Sequence, residues 1–399
     1  MSADAATAEI VARNARHLVP TYTRADVAFV RGKGTELWDA GGRRVLDFFS
    51  SILCTNLGHC HPAVTEAICE QAAKLVHLSN LHHSEPQSRL AEMLVSTSFG
   101  ERAFLCNSGA EANEAAIKVA RRFGHASGGR FEILTALGSF HGRTMATIAA
   151  TGQEKVRLGF EPGLPGFRYV EFGDIEAAEA AIGPQTAAIL VEPIQGEGGV
   201  IVPPPDYLRA LRALCDRNDL LLMFDEVQTG CGRTGTLYAY EQTGSTPDVM
   251  TLAKSLGNGL PVGAMVAGPR VAETLDLGAH GSTFGGNCVT NAAAVATLGV
   301  LTDGATLPRA EAASERLVDG LRALATRHDD LGEVRGRGLL IGIPVTSAER
   351  ARAIAGRALE LGLLLNVTGD GVLRVAPPLV VTDVEIDEAL GLLARALAT

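Results

Sequence analysis

The segment TLAKSLGNGLPVGAM, residues 251–265, places Lys254 among apolar residues and glycines, with no acidic residue in the stretch. A buried ammonium group is unfavourable unless its charge is paired or neutralised. One way to neutralise it is a Schiff base, in which the lysine amine is joined covalently to an aldehyde. The alternative is a lysine at a strand end whose amine reaches solvent along its own methylene stem.

Two further groups follow segments with the composition of buried strands. Asp225 ends the run LLLMF, where a desolvated carboxylate needs a cationic partner, although a helix N-cap or a structural ion pair would also explain it. Ser108, Gly109 and Ala110 occupy the turn between the run RAFLC and a helix. Small residues there let backbone N–H groups and a helix N-terminus face an anion, but they also occur at such turns for packing reasons.

The three groups together indicate one cofactor. In an open parallel sheet, ligands bind beyond the carboxyl ends of the strands, and each group is predicted at such an end. Pyridoxal 5′-phosphate requires a lysine for its aldehyde, a carboxylate for its pyridine nitrogen and an anion site for its phosphate. The combination therefore favours a pyridoxal phosphate enzyme more strongly than any single residue does.

The elements that must position these groups are those of an α/β fold. Nearly continuous apolar runs alternate with helical stretches, which is typical of a mostly parallel central sheet flanked by helices. The helix AEANEAAIKVARRFG is predicted to end at Gly124. The predicted strands lie within residues 102–109, 130–136, 186–193, 220–227 and 248–254.

The predicted organisation is a large domain of residues 55–288 and a small α+β domain built from both termini. Residues 1–54 contribute a hairpin that turns at Gly41 and Gly42, and residues 289–399 contribute helices and short strands. At 399 residues the chain is long enough for two such domains.

Composition excludes several function classes. The formal net charge is −10 and no lysine- or arginine-rich run occurs, so nucleic acid is not an expected partner. No apolar run approaches the roughly 18–20 residues of a membrane span, and no signal peptide is evident, so we expect a cytoplasmic protein. The seven cysteines are expected to be reduced. We expect the segment GHCHP to be a turn and not a metal site, because adjacent side chains of an extended segment point to opposite faces.

Long motifs in a fixed order carry a resemblance to a known family. The chain resembles the class III (ornithine-type) aminotransferases of pyridoxal phosphate fold type I, and most closely their acetylornithine branch, over nearly its whole length. The motifs are RGKGTELWDAGGRRVLDF, LGHCHPAV, NSGAEANEAAIKVAR, FHGRT, VEPIQGEGGV, DEVQTGCGRTG, LAKSLGNGLPVGA, HGSTFGGN and VLRVAPPL.

The resemblance implies how the ring of the cofactor is held. Lys254 would form the Schiff base and then carry the substrate proton, and Asp225 would pair with the pyridine nitrogen. Gln228 would donate to the phenolic oxygen of the ring. Phe140 would stack on one ring face and Val227 on the other.

The resemblance also implies a phosphate site shared between subunits. Ser108, Gly109 and Ala110 would hold the phosphate from one subunit. Thr283 would reach the phosphate of the other subunit, which implies an obligate homodimer.

Carboxylate recognition follows the same resemblance, since a planar arginine binds a carboxylate at two points. Arg143 would hold the α-carboxylate of the ornithine-like donor, assisted by Tyr22. Arg374 would hold the α-carboxylate of glutamate. Glu197 would pair with Arg374 while the donor reacts through its distal amine, so that one pocket serves both half-reactions.

The implied activity moves the terminal amine of N-acetylornithine to 2-oxoglutarate, giving N-acetylglutamate semialdehyde and glutamate, a step of arginine biosynthesis. Ile52 favours the acetylornithine branch, because ornithine δ-aminotransferases typically carry tyrosine there, and Asn113 leans the same way. Ala110 and Asn258 depart from the threonine and glycine that are usual in this branch.

Alternative activities stay open at this stage. They are ornithine δ-aminotransferase, transamination of succinylornithine, of succinylated diaminopimelate or of a specialised amine, and less favourably an aminomutase or racemase of the same fold. A catalytically silent relative is disfavoured by the intact Lys254 and Asp225.

Overall fold

The computed structural model of the protein describes residues 3–398, in which helices and strands alternate through the middle of the chain. The strands are β1 (Phe29–Lys33), β2 (Glu36–Asp39), β3 (Arg44–Asp47), β4 (Arg102–Cys106), β5 (Glu132–Ala136), β6 (Phe167–Val170), β7 (Thr186–Val191), β8 (Leu221–Asp225), β9 (Val249–Leu252), β10 (Gly263–Ala267), β11 (Arg335–Arg337), β12 (Leu340–Pro344), β13 (Leu363–Leu364), β14 (Asn366–Thr368) and β15 (Val372–Val375). The helices are α1 (Ala3–His17), the single turn α2 (Ser50–Leu53), α3 (Pro62–Lys74), α4 (Glu85–Ser96), α5 (Gly109–Ala126), α6 (Met145–Ala150), α7 (Glu154–Arg157), α8 (Ile175–Ala181), α9 (Tyr207–Arg217), α10 (Cys288–Leu301), α11 (Thr306–Ala325), α12 (Ala348–Leu361) and α13 (Asp383–Leu397). Short 3-10 helices cover Ala239–Gln242 and Lys254–Gly257.

The central sheet has seven strands in the order β4-β10-β9-β8-β7-β5-β6. Only β10 is antiparallel to its neighbours, so the predicted mostly parallel sheet is confirmed. Alternate side chains of β8 serve the two faces of the sheet. Met223 packs in the cluster that contains Ile117 of α5, and Phe224 packs in the cluster that contains Leu211 of α9.

The carboxyl ends of three strands meet at one edge of this sheet. Strands β4 and β9 both pair antiparallel with β10, and β8 pairs parallel with β9, so all three run in the same direction. Ser108 follows β4, Asp225 ends β8, and Lys254 follows β9. The fold therefore gathers the three predicted groups at one edge.

The two ends of the chain meet in a separate four-stranded sheet with the order β1-β2-β3-β13. Strands β2 and β3 form the predicted hairpin, and β13 adds to β3 in parallel, with Leu363 opposite Leu46. A third sheet, β11-β12-β15-β14, completes the C-terminal part. The boundaries after residues 54 and 288 stay a prediction.

The predicted end of helix α5 is wrong. The helix continues past Gly124 to Ala126. Gly124 does not terminate it but permits a close approach, because a Cβ atom there would lie 2.4 Å from the carbonyl oxygen of Arg130. The pattern of a glycine after an apolar helix face could not distinguish these two uses.

The turn α2 is left-handed. Its four residues, Ser50 to Leu53, have φ values of 49°, 51°, 60° and 62°, and none of them is glycine. Neighbouring groups hold the turn in place. Asp47 Oδ1 accepts hydrogen bonds from the backbone N–H groups of Phe49 (2.9 Å) and Ser50 (2.8 Å), and Ser255 Oγ donates to the carbonyl of Leu53 (2.6 Å).

Two observations bear on membranes and metals. Among residues 3–398 no single helix is long and apolar enough to cross a membrane, although α10 and α11, bent by 70°, meet the length and composition required when taken as a pair. The same part of the chain contains no group of three or more histidine, cysteine or acidic side chains that could hold a metal ion. In the GHCHP segment, His59 Nε2 lies 2.7 Å from Asp47 Oδ2.

Candidate active site

A cavity of about 450 Å³ lies at the edge of the central sheet where the three strands end. Its lining brings together nine of the residues predicted from the sequence, and two of its sides come from the loops after β5 and β9. The nine are Ser108, Gly109, Ala110, Phe140, Arg143, Asp225, Val227, Gln228 and Lys254.

The N-terminus of helix α5 opens into this cavity. Ser108 caps the helix, and its Oγ accepts the N–H of Glu111 at 3.2 Å. Gly109 is required by packing, because a Cβ atom there would lie 2.8 Å from Val227 Cγ1. The end of an 18-residue helix combines free N–H groups with a favourable dipole, so this turn fits a phosphate group.

The buried carboxylate of Asp225 receives three hydrogen bonds. Its Oδ1 accepts the backbone N–H of Val227 at 3.0 Å. Its Oδ2 accepts Asn113 Nδ2 at 2.7 Å and His141 Nδ1 at 2.8 Å. These donors stabilise a carboxylate that is only 3% exposed, and an ionised carboxylate is what a protonated pyridine nitrogen requires.

The sequence reasoning missed the contacts of Asn113 and His141 with Asp225. Asn113 also donates to the carbonyl of His141 (2.8 Å) and accepts Thr251 Oγ1 (2.7 Å), which fixes the orientation of its amide. His141 lies in the loop after β5. Strand β5 is two strands away from β8 in the sheet. The only sequence signal was that Asn113 and His141 lie within motifs already singled out.

Lys254 sits beyond β9 with an unusual backbone. Its φ is 45°, in the left-handed region, and it begins a 3-10 helix. Its amine makes no hydrogen bond or salt bridge with any residue among 3–398. Burial lowers the pKa of Lys254, and the nearby Glu197 carboxylate opposes that shift only in part. The apolar setting predicted from the sequence is thus present, and the amine is free to react.

Glu192, at the end of β7, is a second carboxyl group in this cavity that the sequence reasoning did not single out. It is buried and accepts the backbone N–H groups of Phe140 (3.2 Å) and Gly196 (3.3 Å). Burial, reinforced by the negative charge of Asp225, raises the pKa of Glu192 well above its usual value. Burial therefore disfavours a negative charge on Glu192, whereas the three hydrogen-bond donors to Asp225 favour an ionised carboxylate there.

Arg374 lies on β15 and is 1% exposed. Its Nη1 donates to Glu197 Oε1 at 2.7 Å and to Gln228 Oε1 at 3.1 Å. Its Nε and Nη2 are buried and have no hydrogen-bond partner among the described residues. Burial acts to raise the pKa of Glu197, but the Arg374 guanidinium and the Lys254 amine outweigh it and hold that pKa below its usual value.

Three other predicted residues differ in how they relate to the cavity. Arg143 is exposed at its mouth, with Cζ 5.4 Å from the centre of the Phe140 ring. Tyr22 lies outside the cavity and is 72% exposed, beside Arg24. Thr283 also lies outside, in a separate depression with His77. A single chain therefore does not bring Tyr22 and Thr283 to the other predicted residues.

The structure explains one of the two departures from the family pattern. Asn258 has a φ of 43°, which asparagine tolerates better than most residues. Its side chain accepts the N–H of Leu57 (2.9 Å) and donates to the carbonyl of Gly58 (3.1 Å), so it joins the lysine loop to that segment. At Ala110 the methyl group packs towards Gly142 and leaves no hydroxyl for a ligand.

Comparisons with known proteins point to one family. The family described as Aminotransferase class-III matches residues 19–397. The acetylornithine aminotransferase of Caldanaerobacter subterraneus subsp. tengcongensis is 48% identical over 95% of this chain and 96% of its own length. Acetylornithine aminotransferase 1 of Bradyrhizobium diazoefficiens is 49% identical over 96% of this chain and 95% of its own. A solved structure of the ornithine aminotransferase of Toxoplasma gondii, described with partial occupancy of PLP, superposes with a TM-score of 0.94 at 33% identity, covering 98% of this chain and 94% of that one.

Proposed function

Because the chain belongs to the class III aminotransferases, we propose that it transfers the terminal amine of N-acetylornithine to 2-oxoglutarate. The products are N-acetylglutamate semialdehyde and glutamate. The observation that carries the two-substrate cycle is the state of Arg374, whose Nη1 is paired with Glu197 while its Nε and Nη2 are buried without a partner among the described residues.

The cavity fits pyridoxal 5′-phosphate, the cofactor of this family. When bound, this group supplies an aldehyde that takes up the amino group and a ring that accepts the electrons released at the carbon bearing it. Residues 108–110 would hold the phosphate at the N-terminus of α5, Phe140 and Val227 would flank the ring, and Gln228 would donate to its phenolic oxygen. Gln228 Oε1 accepts a hydrogen bond from Arg374 Nη1, which leaves the amide nitrogen of Gln228 as the donor and supports this role.

Proton transfer falls to Lys254. Its amine would hold the cofactor in the resting enzyme and would then move a proton to and from the substrate carbon that bears the reacting amine. The lowered pKa of Lys254 supports this role, because a neutral amine can accept that proton. The Asp225 carboxylate would hold the proton on the ring nitrogen.

The same pocket discriminates its two substrates by charge. While N-acetylornithine reacts through its terminal amine, Glu197 neutralises Arg374 and no substrate carboxylate is needed there. Arg143 at the cavity mouth holds the distant α-carboxylate, and assistance by Tyr22 stays a prediction. When glutamate or 2-oxoglutarate binds, its α-carboxylate takes the fork of Arg374 at two points.

A homodimer with shared active sites belongs to the same proposal. Large apolar residues are exposed near Thr283. Leu277 and Phe284 are close to it in sequence, and Leu81 lines the same depression. Such exposure is expected of a face that a second copy covers. Thr283 reaches the phosphate site of the other subunit. A cytoplasmic location is also proposed and is supported by the seven cysteines, all of which are free. Light scattering coupled to size-exclusion chromatography tests the dimer.

The substrate assignment is tested in the half-reaction without a keto acid. N-acetylornithine, ornithine and GABA are added separately to the purified holoenzyme while the visible absorbance of the bound cofactor is followed. We expect N-acetylornithine to remove this absorbance at least roughly tenfold faster than ornithine, and 2-oxoglutarate to restore it. The Lys254→Ala variant is the control, and its turnover is expected to fall to background. Full turnover in that variant would contradict the assignment.

Ornithine is the second candidate donor because the solved ornithine aminotransferase of Toxoplasma gondii superposes with a TM-score of 0.94, and Ile52 is the residue that argues against it. Its side chain is 42% exposed on the left-handed turn, two residues before Cys54 of the cavity lining. Faster loss of absorbance with ornithine would place the enzyme with the δ-aminotransferases. If none of the three amines reacts although the cofactor is bound, a specialised donor or an aminomutase or racemase activity becomes the better explanation.

A further inference from the structure

The Asp225 carboxylate has one hydrogen-bond acceptor position that no donor occupies. A carboxylate has about four lone-pair positions, two on each oxygen. Asp225 Oδ2 accepts Asn113 Nδ2 (2.7 Å) and His141 Nδ1 (2.8 Å), which fills both of its positions. Asp225 Oδ1 accepts only the N–H of Val227 (3.0 Å). The remaining position is therefore on Oδ1.

We propose that His141 is a positioning residue, which with Asn113 clamps Oδ2 so that Asp225 stays ionised and keeps the free position of Oδ1 for the ring nitrogen of pyridoxal phosphate. The inference rests on the proposed function, since it concerns the cofactor of that reaction. His141 acts through Asp225, to whose carboxylate its Nδ1 is hydrogen-bonded.

The hydrogen bonding of His141 fits a donor to Asp225. Because an ionised carboxylate only accepts, the proton of the imidazole must be on Nδ1. Nε2 is buried and has no partner among the described residues, so a second proton there would have no acceptor. Asn113 is fixed in the same sense, because it donates to Asp225 and to the carbonyl of His141 while accepting Thr251 Oγ1. Asn113 and His141 can therefore only donate to Asp225 Oδ2, and the orientation of the Asn113 amide is fixed by its other partners.

The neighbouring Glu192 explains why a clamp is needed. Two carboxyl groups at the end of adjacent strands β7 and β8 compete for one negative charge in a buried cavity. Glu192 has only two backbone donors, with distances of 3.2 and 3.3 Å, whereas Asp225 has three donors at 2.7 to 3.0 Å. The shorter bonds from His141 and Asn113 favour the charge on Asp225.

The test uses two substitutions that differ in one property. His141→Phe preserves an aromatic ring of similar size without a donor. His141→Asn loses the ring but places an amide N–H close to the position of Nδ1. Each holoenzyme, without substrate, is reconstituted with pyridoxal phosphate labelled with ¹⁵N in the ring, and the ¹⁵N chemical shift reports whether that nitrogen is protonated. The dissociation constant of the cofactor is measured on the apoenzymes by fluorescence titration.

We expect wild type and His141→Asn to show a protonated ring nitrogen. In His141→Phe we expect the shift to move toward the unprotonated value and the cofactor to bind at least roughly tenfold more weakly, as the loss of one charge-assisted hydrogen bond implies. A wild-type shift and affinity in His141→Phe would overturn the inference. Equal changes in both variants would also overturn it, because ring packing and not the donor would then be responsible.

Two further measurements keep the test decisive. If His141→Phe does not fold, as judged by circular dichroism of the apoenzyme, Asn113→Ala removes the other donor to Oδ2 and is expected to move the shift in the same direction. An unchanged shift in Asn113→Ala then overturns the clamp. Failure of the wild-type protein to bind pyridoxal phosphate at all would instead refute the proposed function, so the two failures are distinguishable.

Discussion

The left-handed turn at Ser50–Leu53 predicts that a substitution to glycine will stabilise this protein. Ser51 has a φ of 51° and a ψ of 51°, and its neighbours in the turn have φ values between 49° and 62°. For a residue with a Cβ atom the left-handed helical conformation costs roughly 1–2 kcal/mol, whereas glycine adopts it without that penalty. Ser51→Gly should therefore remove the local strain.

The expected gain is smaller than the strain itself. Glycine loses more conformational freedom on folding, which costs roughly 0.5–1 kcal/mol and offsets part of the benefit. The contacts that hold the turn, from Asp47 and Ser255, involve atoms of the flanking residues and are retained. We expect Ser51→Gly to raise the free energy of unfolding by about 0.5–1 kcal/mol.

The assay is reversible urea unfolding, with Ala353→Gly as the matched control. Ala353 is exposed in the middle of helix α12, where the same kind of substitution should lower the free energy of unfolding by about 1 kcal/mol. The two glycine variants should thus shift the unfolding midpoint in opposite directions. If Ser51→Gly destabilises the protein as Ala353→Gly does, the turn is not strained in solution and the reasoning is wrong.

Three more predictions follow from buried charges. Glu197→Gln should lower kcat/KM for N-acetylornithine by roughly 10- to 100-fold and leave glutamate within about threefold in half-reaction kinetics, because only the first reaction needs the charge of Arg374 neutralised; equal losses would contradict the switch. Arg233→Met should lower the free energy of unfolding by about 3 kcal/mol or more in urea, because the loss of the guanidinium orphans Asn56 Oδ1 and the carbonyls of Leu339 and Pro377, each at about 1–3 kcal/mol; a loss below about 1 kcal/mol would contradict it. Burial raises the pKa of Glu226 to about 7, above its unfolded value near 4.5. The contribution of Glu226 to stability is therefore complete below about pH 4.5 and is lost as the pH rises through 7. The curves of unfolding free energy against pH for wild type and Glu226→Gln should diverge across this window, and parallel curves would refute the shift.

The central sheet and the ends of its strands could be predicted because the signals are local. A run such as LLLMF can only be buried, and a charged residue directly after it has to lie at the strand end. Asp225 and Lys254 were found in this way, and the strand order then brought them together. The same logic located residues 108–110, since a strand followed by small residues and a helix has few other conformations.

The rest of the site depends on distances in space that no local pattern encodes. His141 contacts Asp225 only because β5 and β8 are separated by the single strand β7. Glu192 and Glu197 lie in the same motif, and only their partners in space distinguish them, since Glu197 pairs with Arg374 whereas Glu192 accepts backbone N–H groups. The left-handed turn could not be predicted either, because Ser51 and Ile52 have no preference for positive φ and the turn is held partly by Ser255, which is distant in sequence.

The parallel pairing of β13 with β3 sets an order of events during synthesis. Strand β3 emerges from the ribosome early, but the strand that covers its open edge includes Leu363 and Leu364 and is made near the end. At roughly 5–20 residues per second, the N-terminal hairpin therefore waits tens of seconds with an unpaired edge. Unpaired edges promote association with other chains. A protein truncated before Leu363 lacks β13, so we expect it to need chaperones to avoid aggregation.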